Sequence, residues 1–295
     1  MTQSTGERDG FWAYQYRRFK TGLFWCIFGL GGLGLSLTYF PFLRAMVRDP
    51  VARRLKARAA IAASFDRFAR GIEALGVMTI DRSSLDVLRS MRGVIIIANH
   101  PTILDYVLIA SKLPEMDCLV KASLRHNFFL KNVIRAADYL SNDGSIDVVD
   151  ECVRRLRAGE SILVFPEGTR TRRNVPMTLK RGVAHAALRA GCDLAVVHIR
   201  SSHHWLDKES QWYEIPPVRP TLTFTYAGRL SSADYLRDGE DGYSLASRRL
   251  TEAMRRELSI AAFGHAEEET HSNTVDAVSK TPSSAHGETY DDVGK

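Results

Sequence analysis

From Thr21 to Leu43 the chain runs for 23 residues without a charge, TGLFWCIFGLGGLGLSLTYFPFL. A helix of this length, rising about 1.5 Å per residue, crosses a hydrocarbon core of roughly 30 Å. Arg17, Arg18 and Lys20 precede it, and Arg44, Arg48, Arg53, Arg54, Lys56 and Arg58 follow it. The stretch is long for a signal peptide and lacks a small-x-small exit site. It reads as a membrane anchor over residues 1–45, with a buried core helix as the alternative. The run Gly29-Leu30-Gly31-Gly32-Leu33-Gly34 and Pro41 leave two forms open: a straight span, or a bent segment with both basic ends on one side. The positive-inside rule puts the more basic C-terminal side in the cytoplasm. The expected location is a bacterial-type inner membrane, with the body of the chain on its cytoplasmic side.

Residues 46–75 read as a basic amphipathic helix. Leu55, Ile61, Phe65, Phe68 and Ile72 recur at helical spacing among Arg53, Arg54, Lys56, Arg58, Arg67 and Arg70. Such a helix either lies on anionic lipid or packs with a solvated basic face. Strand and helix patterns then alternate over 76–262. Val94–Ala98, Cys118–Val120, Ser161–Phe165, Leu194–Ile199 and Thr221–Tyr226 read as apolar strands. Phe128–Leu140, Ile146–Arg157, Leu179–Ala190 and Tyr243–Ala262 read as helices. The pattern predicts an α/β fold, a mixed sheet covered by helices, behind an N-terminal membrane-associating helical segment. Residues 263–295 read as a disordered acidic tail. From Gly264 on, seven acids face two lysines, so the tail carries −5 and the rest +11. A basic body suits an anionic partner. The four cysteines are scattered, with neither a disulfide framework nor a C-x-x-C pair.

Two strand ends carry chemistry. After Val94–Ala98 comes NHPTILD, with His100 at the strand tip and Asp105 in the first turns of a following helix. A carboxylate on one ring nitrogen fixes the tautomer and raises the basicity of the other. No G-x-S-x-G elbow supplies a nucleophile, so the substrate supplies the hydroxyl, and His100 takes its proton. After Ser161–Phe165 comes FPEGTRTRRN. Gly168 permits close backbone approach. Thr169, Arg170, Arg172 and Arg173, with Lys180 and Arg181 beyond, suit a phosphate. The two motifs lie 67 residues apart, His100 to Glu167.

NHPTILD and FPEGTRT resemble the first and third motif blocks of the glycerolipid and lysophospholipid acyltransferases, the 1-acylglycerol-3-phosphate acyltransferase family. LKRGVAHAAL at 179–188 resembles the segment that follows the third block. The resemblance spans about Val94 to Ser201. It implies acyl transfer from a coenzyme A or acyl-carrier-protein thioester to a hydroxyl of a membrane lipid, in phospholipid biosynthesis. It also implies His100 as base, Asp105 as its orienting partner, and Glu167, Gly168, Thr169 and Arg170 lining the acceptor site. No cofactor beyond the donor thioester, no metal and no nucleic acid is expected. Two departures bear on the acceptor. The region that in the family ends in a phosphate-gripping arginine reads RAADYLSNDGSID (135–147), with no arginine after Arg135. His198 stands near where the fourth block usually has proline. A lysophospholipid-type, lysophosphatidate-like hydroxyl is the leading acceptor by family, yet poor use of lysophosphatidate itself is expected, with a different hydroxylated lipid, one made on an acyl carrier protein, as the alternative. Lys121, Arg125 and Lys131 are candidates for the missing charge. Readings from other classes are a metal enzyme built on His198, His203, His204 and Asp207, whose spacing matches no tight zinc motif, and a non-catalytic basic module for membrane or nucleic acid.

Overall fold

The computed structural model describes residues 9–127, 131–142, 146–236 and 243–263. The acidic tail from 264 on lies outside the described residues. The uncharged run sits inside a longer helical segment. Helix α1 (Phe11–Gly34) passes through a π-helical turn (Leu35–Tyr39) into α2 (Phe40–Met46). The wide turn has a local cause. Pro41 has no N–H, and its ring crowds the carbonyl four residues back, that of Leu37. Phe11–Met46 is long and apolar enough to cross a membrane, and only 17% of its most apolar window is buried.

The N-terminal helices are packed onto the body, and the compact unit runs unbroken to Ala262. Arg17, expected as a flanking charge, is instead 6% exposed. It pairs with Asp9 at 2.6 Å and donates to the carbonyls of Pro216 and Val218 at 2.5 and 3.2 Å. Helix α3 (Pro50–Ala74) starts at Asp49, whose carboxylate accepts from the amides of Val51 and Ala52, with Pro50 in the first turn. Its apolar stripe, Ala57, Ile61, Phe68, Ala69 and Ile72, is buried in the body, and Phe68 packs on Phe24 of α1 at 4.9 Å. The stripe thus faces the core, and Lys56, Arg67 and Arg70 face out.

Seven strands follow: β1 (Thr79–Asp81), β2 (Ile95–Ala98), β3 (Asp117–Lys121), β4 (Leu140–Asn142), β5 (Ile162–Val164), β6 (Leu194–Ser201) and β7 (Thr221–Leu230). Their order is β1-β7-β6-β2-β5-β3-β4. Every neighbouring pair is parallel except β6 and β7, which are antiparallel. The helices between them are α4 (Asp105–Ala110), α5 (Lys131–Ala137), α6 (Ile146–Arg157) and α7 (Gly182–Ala190), and α8 (Tyr243–Phe263) follows the last strand. Of the segment expected as one helix over 128–140, residues 128–130 lie outside the described residues, Lys131–Ala137 form α5, and Leu140 already opens the short strand β4.

Side chains alternate across β2 as the pleat requires. Ile96 and Ala98 join one core with α1, α3, α4 and α5, while Ile95 and Ile97 join a second with α6, α7 and α8. Burying each isoleucine is worth roughly 1.5–3 kcal/mol. With both faces covered, an all-apolar strand is the stable choice. The carboxyl ends of β2, β3, β4, β5 and β6 then share one edge of the sheet, where open α/β sheets place their chemistry.

Candidate active site

His100 and Asp105 meet at the carboxyl end of β2. Nδ1 of His100 lies 2.8 Å from Oδ2 of Asp105. Asp105 is completely buried, and the imidazole keeps 19% of its surface open. The turn between them explains the reach. Thr102 donates twice to the Asp105 carboxylate, which closes the turn that leads into α4. The amide of Thr102 donates to Asp105 Oδ2 at 2.8 Å, and its hydroxyl donates to Oδ1 at 2.5 Å. The carboxylate that closes the turn therefore also orients the imidazole. An Nδ1–H donated to Asp105 leaves Nε2 as the proton acceptor, and Nε2 has no partner among the described residues.

The second motif holds the first in place. Thr171 clasps His100 twice: its hydroxyl accepts the His100 amide at 3.1 Å, and its own amide donates to the His100 carbonyl at 2.8 Å. The same hydroxyl donates to Glu167 Oε1 at 2.6 Å. Burial pushes the Glu167 carboxyl above its ordinary value, against the opposing pull of the Thr171 hydroxyl and the His100 amide. Phe165 stacks on the imidazole, ring centres 4.1 Å apart. The turn after β5 closes through the Gly168 amide on the Phe165 carbonyl at 2.9 Å, with Gly168 at φ +68°, a left-handed conformation that favours glycine. Asn99, 1% exposed, extends the β2–β6 ladder by one rung. Its side chain donates to the Ile199 carbonyl and accepts the Ile199 amide, both at 2.8 Å.

The cations of the second motif differ in what they hold. Arg170 Nη1 donates to the carbonyls of Leu206, at 3.2 Å, and Asp207. Arg173 places Nε and Nη2 on Asp207 Oδ2, at 2.8 and 2.5 Å. Thr169 accepts Lys208 Nζ at 3.1 Å. Arg172 and Lys180 are exposed and have no charged partner among the described residues. Lys121, at the end of β3, pairs in register with Asn142 at the end of β4, so it too is at this edge. Of the histidine cluster, His198 lies on β6 at the face toward α8, while His204 Nδ1 lies 3.8 Å from the Asp207 carboxylate. Asn99, Thr102, Phe165 and Thr171 were not singled out from sequence, and Asp207 was named there only with the histidine cluster. Only Thr102 had a local signal there, the T-x-x-D spacing of a capping box.

A base oriented by a buried carboxylate, beside a tight glycine turn and loose cations, suits transfer of an acyl group to an incoming hydroxyl. Residues 79–200 match the family model described as Acyltransferase. The matched segment holds both motifs, and over it the chain is similar to the acyltransferases. Among solved structures it is similar to the 1-acyl-sn-glycerophosphate (LPA) acyltransferase PlsC from Thermotoga maritima, with a TM-score of 0.57 and 19% identity over 82% of this chain and 96% of that one. At that identity the likeness is one of fold. No curated protein matches the chain in sequence.

Proposed function

We propose that this enzyme moves a fatty acyl group from a coenzyme A or acyl-carrier-protein thioester to the hydroxyl of a lysophospholipid-type acceptor at a membrane surface. The observation that carries this reading is the half-open His100 imidazole fixed by buried Asp105. Nε2 of His100 takes the acceptor's hydroxyl proton as the oxygen attacks the thioester carbonyl. The tetrahedral adduct expels the thiolate, which recovers that proton from His100. An ester and a free thiol result, and the enzyme returns to its starting state. Asp105 steadies the transient imidazolium.

Arg172, Lys180 and Lys121 supply positive charge at the same edge for an anionic headgroup. The fold likeness to the Thermotoga protein, named as a 1-acyl-sn-glycerophosphate acyltransferase, supports lysophosphatidate as the acceptor here. The absence of an arginine between Ala136 and Asn142 favours a second reading, acylation of a different hydroxylated lipid made on an acyl carrier protein. Phe11–Met46 is the proposed anchor, with the body on the cytoplasmic side. The test is a panel of acceptors assayed with both thioester donors, using detergent-solubilised full-length protein. Transfer to a lyso-lipid hydroxyl is the expected result. Thioester hydrolysis without transfer to any acceptor overturns the reading.

A further inference from the structure

The connection from β6 to β7, residues 202–220, crosses the catalytic edge and touches both motifs. The Leu206 carbonyl accepts the Ile103 amide at 3.0 Å and Arg170 Nη1 at 3.2 Å. Ile103 lies inside the Thr102–Asp105 turn, so one carbonyl ties the two motifs together. Leu206 is 4% exposed and adopts φ +60°, a left-handed conformation that a leucine side chain disfavours. The surrounding bonds hold it there and aim the next residue, Asp207, at the second motif.

Asp207 is 7% exposed. Its Oδ1 accepts the amides of Glu209 and Ser210 at 3.1 and 2.7 Å, and its Oδ2 takes both nitrogens offered by Arg173. Burial alone raises such a carboxyl, but the bonds from Arg173 and Ser210 outweigh it and hold Asp207 below its ordinary value. The carboxylate therefore stays charged at neutral pH and occupies a guanidinium that the sequence had offered to an acceptor's phosphate.

We propose that Asp207 is a specificity-determining residue, neutralising Arg173 so that acceptors bearing a phosphate monoester are disfavoured relative to uncharged hydroxylated acceptors. The inference rests on the acyltransfer reading above and names the acceptor class for the same site. A phosphate monoester carries close to two negative charges near neutral pH. It meets a site with one cation already paired and one fixed carboxylate nearby. Both effects act on the headgroup, and neither touches the reacting hydroxyl.

The test uses purified full-length protein and two acceptors that differ only in the phosphate, 1-acylglycerol 3-phosphate and 1-acylglycerol. Asp207→Asn keeps an amide oxygen for the Glu209 and Ser210 amides and removes the charge. The ratio of kcat/KM, phosphorylated over unphosphorylated, is expected to rise about ten-fold, since charge-assisted hydrogen bonds exceed a kcal/mol and 1.4 kcal/mol is ten-fold. The change should lie in the KM of the phosphorylated acceptor, with kcat on the neutral one unaltered. Adding Arg173→Gln to Asp207→Asn should return the ratio to its starting value. A ratio unmoved by Asp207→Asn overturns the proposal. So does an equal loss on both acceptors with a lowered melting temperature, which makes Asp207 a brace of the loop. Wild-type protein that acylates neither acceptor, nor any other lyso-lipid, marks instead the failure of the acyltransfer reading itself.

Discussion

Asp105 and Asp117 are both completely buried, yet their surroundings are opposites. Asp117 opens β3 at the amino edge of the sheet. Arg58 of α3 reaches it at 3.0 Å, and Arg155 of α6 reaches it as well. Arg58 also donates to the Ala137 carbonyl at 2.9 Å, and Arg155 pairs with Glu151 and Asp138 at 2.8 and 3.0 Å. These cations never lose their charge, so three elements are clamped in a single arrangement. Asp105, at the other edge, holds one threonine and one imidazole. Its one ionisable partner can gain and lose a proton, and that partner keeps an open side. The permanent ion cluster sits at the amino edge of the sheet, and the imidazole–carboxylate pair sits at the edge proposed to receive the substrate. One end should therefore set rate and the other stability.

The largest effect expected is at His100. Replacing it with alanine should lower kcat by roughly 10²–10⁴, the usual worth of general-base assistance, while the melting temperature stays near wild type. Near-normal turnover of purified His100→Ala would remove the catalytic end of the comparison. Next comes Asp117→Asn, which takes from two buried guanidiniums the carboxylate they share. Breaking a buried ion pair in this way costs about 3–5 kcal/mol, read by urea or thermal unfolding. The kcat per folded molecule should remain unchanged. A fall in kcat with stability intact would show that the two ends are coupled.

Thr171→Val should sharpen the comparison, because it removes the hydroxyl held between His100 and Glu167 and leaves the backbone bond to the His100 carbonyl. Losing hydrogen bonds of about 1 kcal/mol each predicts a several-fold drop in kcat, restored by Thr171→Ser. If serine fails to restore it, packing by the methyl group matters more than the clasp. The smallest effect concerns pH. Burial raises the Glu167 carboxyl above 4.5, so the folded chain binds that proton more tightly than the unfolded one. Its stability contribution is largest below the unfolded value and is lost as pH rises through the folded one. Glu167→Gln should thus gain stability relative to wild type as pH rises from acid to neutral in paired unfolding curves. A constant difference across that range would mean that Glu167 does not titrate as its burial requires.

Most of the sheet was legible because its strands are buried on both faces and so are apolar throughout. Val94–Ala98, Ser161–Phe165 and Leu194–Ile199 differ from β2, β5 and β6 by no more than two residues at either end. Two strands were not. β1 and β4 are three residues each at the sheet's edges. Such pieces bury too little to leave a pattern, and β4 was absorbed into the helix before it. His100, Asp105 and the turn at Glu167 and Gly168 were legible because each motif is local and ends a strand. Asn99, Thr171 and Asp207 were not, because their partners lie 100, 71 and 34 residues away. Arg17 misled for a related reason. Its position beside an apolar run suggests a membrane flank, and only the folded chain brings the carbonyls of Pro216 and Val218 to it.

The reversal of β7 has a consequence for how such an enzyme can diverge. A parallel neighbour would require a crossover back to the opposite edge, which fixes the length and packing of whatever joins the strands. Because β7 runs antiparallel to β6, the chain between them turns back at the catalytic edge as a surface loop. Loops of that kind tolerate insertion and exchange far better than a crossover does. Descendants of a common scaffold can therefore retain His100, Asp105 and the sheet beneath them, and lengthen, shorten or rewrite the outer part of this connection, residues 208–214, independently. Swapping this one segment between relatives is the shortest experimental route to a changed acceptor.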